Sequence, residues 1–192
     1  VMGHALSILA DWDARNGAPV DCYVSVNVSP IQLLRDDIVD VTRCALDAHG
    51  ISGERLMVEL TESAVVSDPD HALQVLGALK ALKVRIAMDD FGTGYSNLAY
   101  LQRLPIDVLK IDRSFVDKME HDREQVAIVR TIQSLAEALN MQTTAEGVET
   151  PDQARLLSAL GYNFGQGYHY ARPMDPDAAL EFWRQSLVSP AF

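Results

Sequence analysis

VRIAMDD (84–90) is a short apolar run that ends in two adjacent carboxylates, Asp89 and Asp90, and passes directly into FGTG (91–94) with its two glycines. Neighbouring like charges repel, and each is stable only in water or beside a cation. The run alternates as a strand does, and the chain on both sides repeats the design. YVSVNVS (23–29) sets Val24, Val26 and Val28 against Ser25, Asn27 and Ser29. LMVELTES (56–63), DVLKIDRSF (107–115), MQTTAEGVE (141–149) and YNFGQGY (162–168) are the other predicted strands. Helical spacing falls between them, at 38–50, 68–82, 95–105, 123–140, 151–161 and 175–187, with a further helix at the start of the chain. Gly50 and Gly161 stand where helix C-caps belong, while Asp68 with Pro69, and Pro151, mark helix starts.

Six strands, each followed by a helix, predict parallel pairing with right-handed crossovers. An open doubly wound sheet gathers its ligand groups at one switch point. A barrel draws them from the C-terminal ends of many strands. Here successive strand ends carry Asn27, then Glu59 with Glu62, then Asp89 and Asp90, then Lys110 with Asp112, then Glu146 with Glu149, then Gln166. That distribution selects an α/β barrel of the TIM type. Such barrels have eight strands and about 250 residues. The expectation is therefore a single domain over 1–192, short of about two strand–helix units at its N-terminus.

Composition narrows the chemistry. The chain has 192 residues, 48% of them apolar, and a net charge of −11. That charge excludes a duplex nucleic acid surface, which needs clustered Lys and Arg. Cys22 and Cys44 form no metal or disulfide framework, which suits a reducing cytoplasm, and the five histidines lack zinc spacing. No apolar run reaches membrane-spanning length. DFG (90–92) is not a kinase signature here, because no G-x-G-x-x-G loop or H-R-D segment accompanies it.

Glu59, Asp89, Asp90 and Glu146, with the amide oxygen of Asn27, make a hard oxygen donor set if they converge at a barrel mouth. Four carboxylates beside one lysine cannot all ionise there without cations. Adjacent aspartates suit a two-metal site, in which one carboxylate bridges the ions. Lys110 is placed to orient an attacking water or steady charge on a phosphate. Taken singly, each residue has a plainer role. A strand-end carboxylate caps a helix, Glu62 and Glu149 anchor loops, Asp112 pairs with Arg113, and the glycines permit a turn.

The segments SVNVSPIQL (25–33), VELTES (58–63), MDDFGTGYSNL (88–98), LPIDVLKIDRSFV (104–116), AEGVET (145–150) and LGYNFGQGYHYARPM (160–174) resemble the successive motifs of EAL-domain phosphodiesterases. The resemblance implies a modified (β/α)₈ barrel that hydrolyses cyclic di-GMP to linear pGpG with two Mg²⁺ or Mn²⁺ ions. It implies that Asn27, Glu59 and Asp89 hold the first ion, and that Asp89 bridges to a second held by Asp90 and Glu146. Lys110 would hold the catalytic water, with Gln166 supporting that network. Glu62 would brace the regulatory loop that begins Phe91, Gly92, Thr93, Gly94, and Glu149 would belong to the same support. A homodimer, and linkage to sensory or GGDEF domains, are further implications. The family's name-giving Glu-Ala-Leu, whose glutamate binds metal, is expected upstream of Val1, since Glu137-Ala138-Leu139 lies in mid-helix with no strand before it. The alternative is a degenerate receptor that binds cyclic di-GMP without cleaving it.

Overall fold

The computed structural model describes residues 1–35, 37–66, 68–93 and 101–188. Its first helix, α1 (Met2–Asn16), stops where Gly17 turns left-handed, at φ 74°, a conformation that costs a residue without Cβ little. Strand β1 (Val24–Asn27) follows, then α2 (Pro30–Leu33), α3 (Ile38–His49), a 3-10 turn (Gly53–Arg55) and β2 (Leu56–Thr61). Next come α4 (Glu62–Val66), α5 (Pro69–Ala81), β3 (Arg85–Phe91) and β4 (Val108–Ile111). The chain continues through α6 (Arg113–Val116), α7 (Arg123–Ala138), β5 (Gln142–Glu146), α8 (Pro151–Ala159), β6 (Phe164–Gln166) and α9 (Pro176–Val188).

Helix starts are set by side chains that take up backbone N–H groups otherwise left without partners. Ser29 and Thr150 each close a capping box with the glutamine three residues on, Gln32 and Gln153. Asp68, Asp112 and Asp122 accept hydrogen bonds from first-turn N–H groups. Each cap of this kind contributes about 1 kcal/mol.

The six strands form one sheet in chain order, β1 to β6, and all five pairings are parallel. The sheet curls into an α/β half-barrel of the TIM type, with β1 and β6 as its edges among the described residues. Alternation along the strands sorts the core. Leu60, Met88 and Leu109 point outward and are buried in the main core with Leu76 of α5 and Val129 of α7. Met57, Ala87 and Val108 point inward and make a separate small apolar cluster inside the curl. Thr143 faces the helix layer although it is polar, and its hydroxyl hydrogen-bonds to Gln133 Oε1 at 2.7 Å.

The sequence overextends most of the strands: 23–29 shortens to Val24–Asn27, 141–149 to Gln142–Glu146 and 162–168 to Phe164–Gln166. The run 56–63 ends at Thr61, and Glu62 opens α4. The run 107–115 ends at Ile111, because Asp112 caps α6 by accepting from Ser114 N–H. Of the helix expected at 95–105, residues 95–100 lie outside the described residues. No helix among the described residues is long and apolar enough to cross a membrane.

Candidate metal centre

Glu59 sits between Val58 and Leu60, whose burial in the helix layer turns the carboxylate inward. The next strand departs from simple alternation. Ala87 and Met88 pair with Val108 and Leu109, but the following pairing joins Phe91 to Ile111. Two residues of β3, Asp89 and Asp90, thus face one residue of β4, Lys110. This is a β-bulge, a device that re-aims side chains at strand ends. Asp90 takes the extra place with φ 53°, a left-handed conformation that aspartate tolerates better than most side chains. Adjacent carboxylates that strict alternation would send to opposite faces are both brought to the mouth.

Lys110 is the centre of the arrangement. Its Nζ lies 3.0 Å from Glu59 Oε2, 3.0 Å from Asp89 Oδ1 and 2.6 Å from Glu146 Oε1. Its side chain is only 6% exposed, against 9%, 14% and 21% for those carboxylates. Burial pulls the ammonium towards neutrality, but the Glu146 hydrogen bond and the charges of Glu59, Glu146 and Asp89 outweigh it and hold its pKa above the usual lysine value. Burial raises the Glu146 carboxyl, with Lys110 opposing and Asp89 and Glu59 adding to the rise. Burial also raises Asp90, reinforced by the charges of Asp89 and Asp112. Both carboxyls are therefore harder to ionise than in water, chiefly because burial strips their hydration.

These residues fit divalent cations. One oxygen each from Asp89, Asp90 and Glu146 lies within 4.8 Å of the others. All the donors are hard oxygens of the kind that Mg²⁺, Ca²⁺ and Mn²⁺ prefer.

The other expected residues are placed as follows. Asn27 ends β1 in register with Glu59, and Gln166 ends β6 in register with Glu146; both are exposed. Glu149 forms an ion pair with Arg113 at 2.9 Å instead of entering the mouth. Arg113 also binds Asp117, at 3.1 Å, so the expected Asp112–Arg113 pair is replaced by these two. Phe91 is not a loop residue. The bulge shifts the phase of β3, so Phe91 follows Met88 to the helix side, where it is 4% exposed. Gly92 and Thr93 form the turn beyond it, with the Thr93 hydroxyl donating to Asp90 O at 2.8 Å. Gly94 lies outside the described residues, as do residues 95–97 of the loop that Glu62 was expected to brace. The bulge and the Arg113 pairs are what the sequence reading missed. Its one available signal was the pair of adjacent aspartates itself.

Comparison with known proteins agrees with this geometry. A family model described as the EAL domain matches residues 1–173. The bifunctional diguanylate cyclase/cyclic di-GMP phosphodiesterase MucR of Pseudomonas aeruginosa is 43% identical over 165 residues, which cover 86% of this chain and 24% of that protein. A solved structure of the PaMucR phosphodiesterase in complex with c-di-GMP aligns with a TM-score of 0.87 at 40% identity, covering 93% of this chain and 71% of that one. Klebsiella pneumoniae BlrP1, solved as a manganese/cy-diGMP complex, aligns with a TM-score of 0.79 at 29% identity, covering 89% and 43%. The chain spans about a quarter of the length of the curated relatives it matches. It belongs to the EAL domain family.

Proposed function

We propose that this domain hydrolyses cyclic di-GMP to linear pGpG with the help of two divalent cations, Mg²⁺ or Mn²⁺. The observation that carries the reading is the inward cluster of Glu59, Asp89, Asp90 and Glu146 around Lys110. Relatives similar to this chain at 40–43% identity are named for cyclic di-GMP hydrolysis or were solved with c-di-GMP bound.

Asn27, Glu59 and Asp89 would hold one ion, and Asp89, Asp90 and Glu146 the other, with Asp89 common to both. Bound cations supply Lewis-acid activation of water and offset charge at the phosphate. Lys110, whose Nζ lies within 3.0 Å of Glu59, Asp89 and Glu146, would hold the attacking water by hydrogen bonding at the centre of that donor set. Gln166, in register with Glu146, lies beside that network and supports it. In the net reaction the water oxygen forms a new P–O bond and one P–O ester bond breaks. The products are a 5′ phosphate and a free hydroxyl on the now linear dinucleotide. Glu62 and Glu149 serve the loops around the mouth. A homodimer with linked sensory or GGDEF domains completes the proposal.

The test is to incubate the full-length protein with cyclic di-GMP and Mn²⁺ or Mg²⁺, with an EDTA control, and to separate products by anion-exchange chromatography. Metal-dependent appearance of pGpG is expected. Tight binding of cyclic di-GMP with no turnover in either metal would overturn hydrolysis and leave a receptor.

A further inference from the structure

Lys110 and Glu146 meet across β4 and β5, and a like pairing recurs three residues further along the chain in the segments that follow both strands. Arg113 Nη2 lies 2.9 Å from Glu149 Oε1, again with the cation following β4 and the anion following β5. Arg113 is further steadied by Asp117, whose two carboxylate oxygens accept from Nε at 3.2 and 3.1 Å.

The arginine stem lies on the backbone that directly follows Glu146. Gly147 has φ 70°, and a Cβ built there would fall 2.3 Å from Arg113 Cγ and 2.7 Å from Arg113 Cβ. The opposite side of the segment is closed by the chain after β6. Val148 N–H donates to Gln166 O at 3.0 Å, and His169 N–H donates to Val148 O at 3.0 Å. A Cβ at Gly167 would lie 2.2 Å from Val148 O. The segment bearing Glu146 is thus held between β6 backbone on one side and the Arg113 side chain on the other. Only the second jaw can be removed without unfolding a strand.

We infer that Arg113 is a positioning residue: with Glu149 it clamps residues 147–149 so that Glu146 is held at Lys110 in the geometry the cation site needs. The inference rests on the metal-dependent phosphodiesterase reading, and its consequences extend to metal affinity. Among the described residues the ion pairs of Arg113 go to Asp117 and Glu149, so it acts on Glu146 through the backbone of Gly147. Its side chain is 53% exposed, and its loss should leave the fold intact.

The experiment compares wild type, Arg113→Ala, Arg113→Lys and the exchange Arg113→Glu/Glu149→Arg in the full-length protein. Mn²⁺ binding is read by electron paramagnetic resonance of the free ion, turnover by steady-state kinetics, and folding by the thermal midpoint. Arg113→Ala should weaken Mn²⁺ binding about fivefold and lower kcat by a similar factor, with KM and the midpoint little changed. Arg113→Lys, which keeps a stem over Gly147, should recover part of the loss, and so should the exchange. Unchanged Mn²⁺ affinity in Arg113→Ala would overturn the clamp. So would a loss matched by a fall in the midpoint and recovered by neither other variant. A wild type that binds Mn²⁺ but does not cleave cyclic di-GMP refutes the proposed activity alone, since the Mn²⁺ measurement still decides the clamp.

Discussion

Lys110→Met removes the one ammonium from among three carboxylates while keeping most of the side chain's volume. At 2.6–3.0 Å, each contact carries roughly 5–6 kcal/mol of gross Coulomb attraction at an effective dielectric of about 20. Desolvation of the ammonium and repulsion among the carboxylates offset most of that. Removing one partner of a buried ionic cluster leaves a net loss of about 3–5 kcal/mol. The metal-free variant should therefore lose about 3 kcal/mol of stability, the low end of that range, because protonation of Glu146 relieves part of the repulsion. A divalent cation replaces the missing charge twice over, so excess Mn²⁺ should narrow the gap from wild type to under about 1 kcal/mol. The assay is equilibrium urea unfolding followed by the fluorescence of Trp12 and Trp183, in EDTA and then in Mn²⁺, at constant m. Equal stability of the two proteins in EDTA would refute the idea that Lys110 holds the mouth together. A gap untouched by Mn²⁺ would refute the cation site.

Three further outcomes are expected. Asp89→Asn should lower turnover at least ~10³-fold, because the carboxylate proposed to serve both ions becomes a neutral amide; near-normal rates with Mn²⁺ would sink the two-metal reading. Phe91→Ala should destabilise the protein by about 3 kcal/mol in urea unfolding, as a core truncation does, whereas a loop residue would show almost no change. The Arg55 hydrogen bond holds the Asp13 carboxyl below its ordinary 3.8, against burial and with help from Val20 N–H. Because the folded pKa is lowered, this stability is fully present above about pH 3.8 and is lost as pH falls through the folded value. Asp13→Asn should thus be about 1–2 kcal/mol less stable at pH 6, with the difference shrinking in acid; a difference constant down to the acid transition would show that the charge is not its source.

The strand ends were readable because a polar group recurs at the close of each apolar run, and the physics of parallel sheets places those ends together. Glu59, Lys110 and Glu146 follow directly from that, since simple alternation along β2, β4 and β5 already aims them inward. Asp90 does not. Alternation assigns it to the face opposite Asp89, and only the inserted residue of the bulge, set by a single backbone angle, reverses this. The same phase change explains why Phe91, read as part of a glycine turn, belongs to the helix-side core. Arg113 does not pair with its sequence neighbour Asp112, because that carboxylate caps α6 by accepting from Ser114 N–H. Its partners are one turn away at Asp117 and across the strand crossover at Glu149. Pairings of the second kind depend on how far β5 has rotated over β4, which no local pattern encodes.

Among the described residues each strand pairs only with the strands immediately before and after it in the chain, so the fold grows as a linear array of nearest-neighbour steps. The charged mouth, however, draws one charged side chain from each of four successive strands: Glu59, Asp89, Lys110 and Glu146. A slip of one residue in any of these strands would turn its charged group to the apolar side. The cluster around Lys110 therefore works as a proofreading contact for assembly. It closes only when the three registers that join those four strands agree, and an ion captured there would reward the correctly threaded array over every near miss.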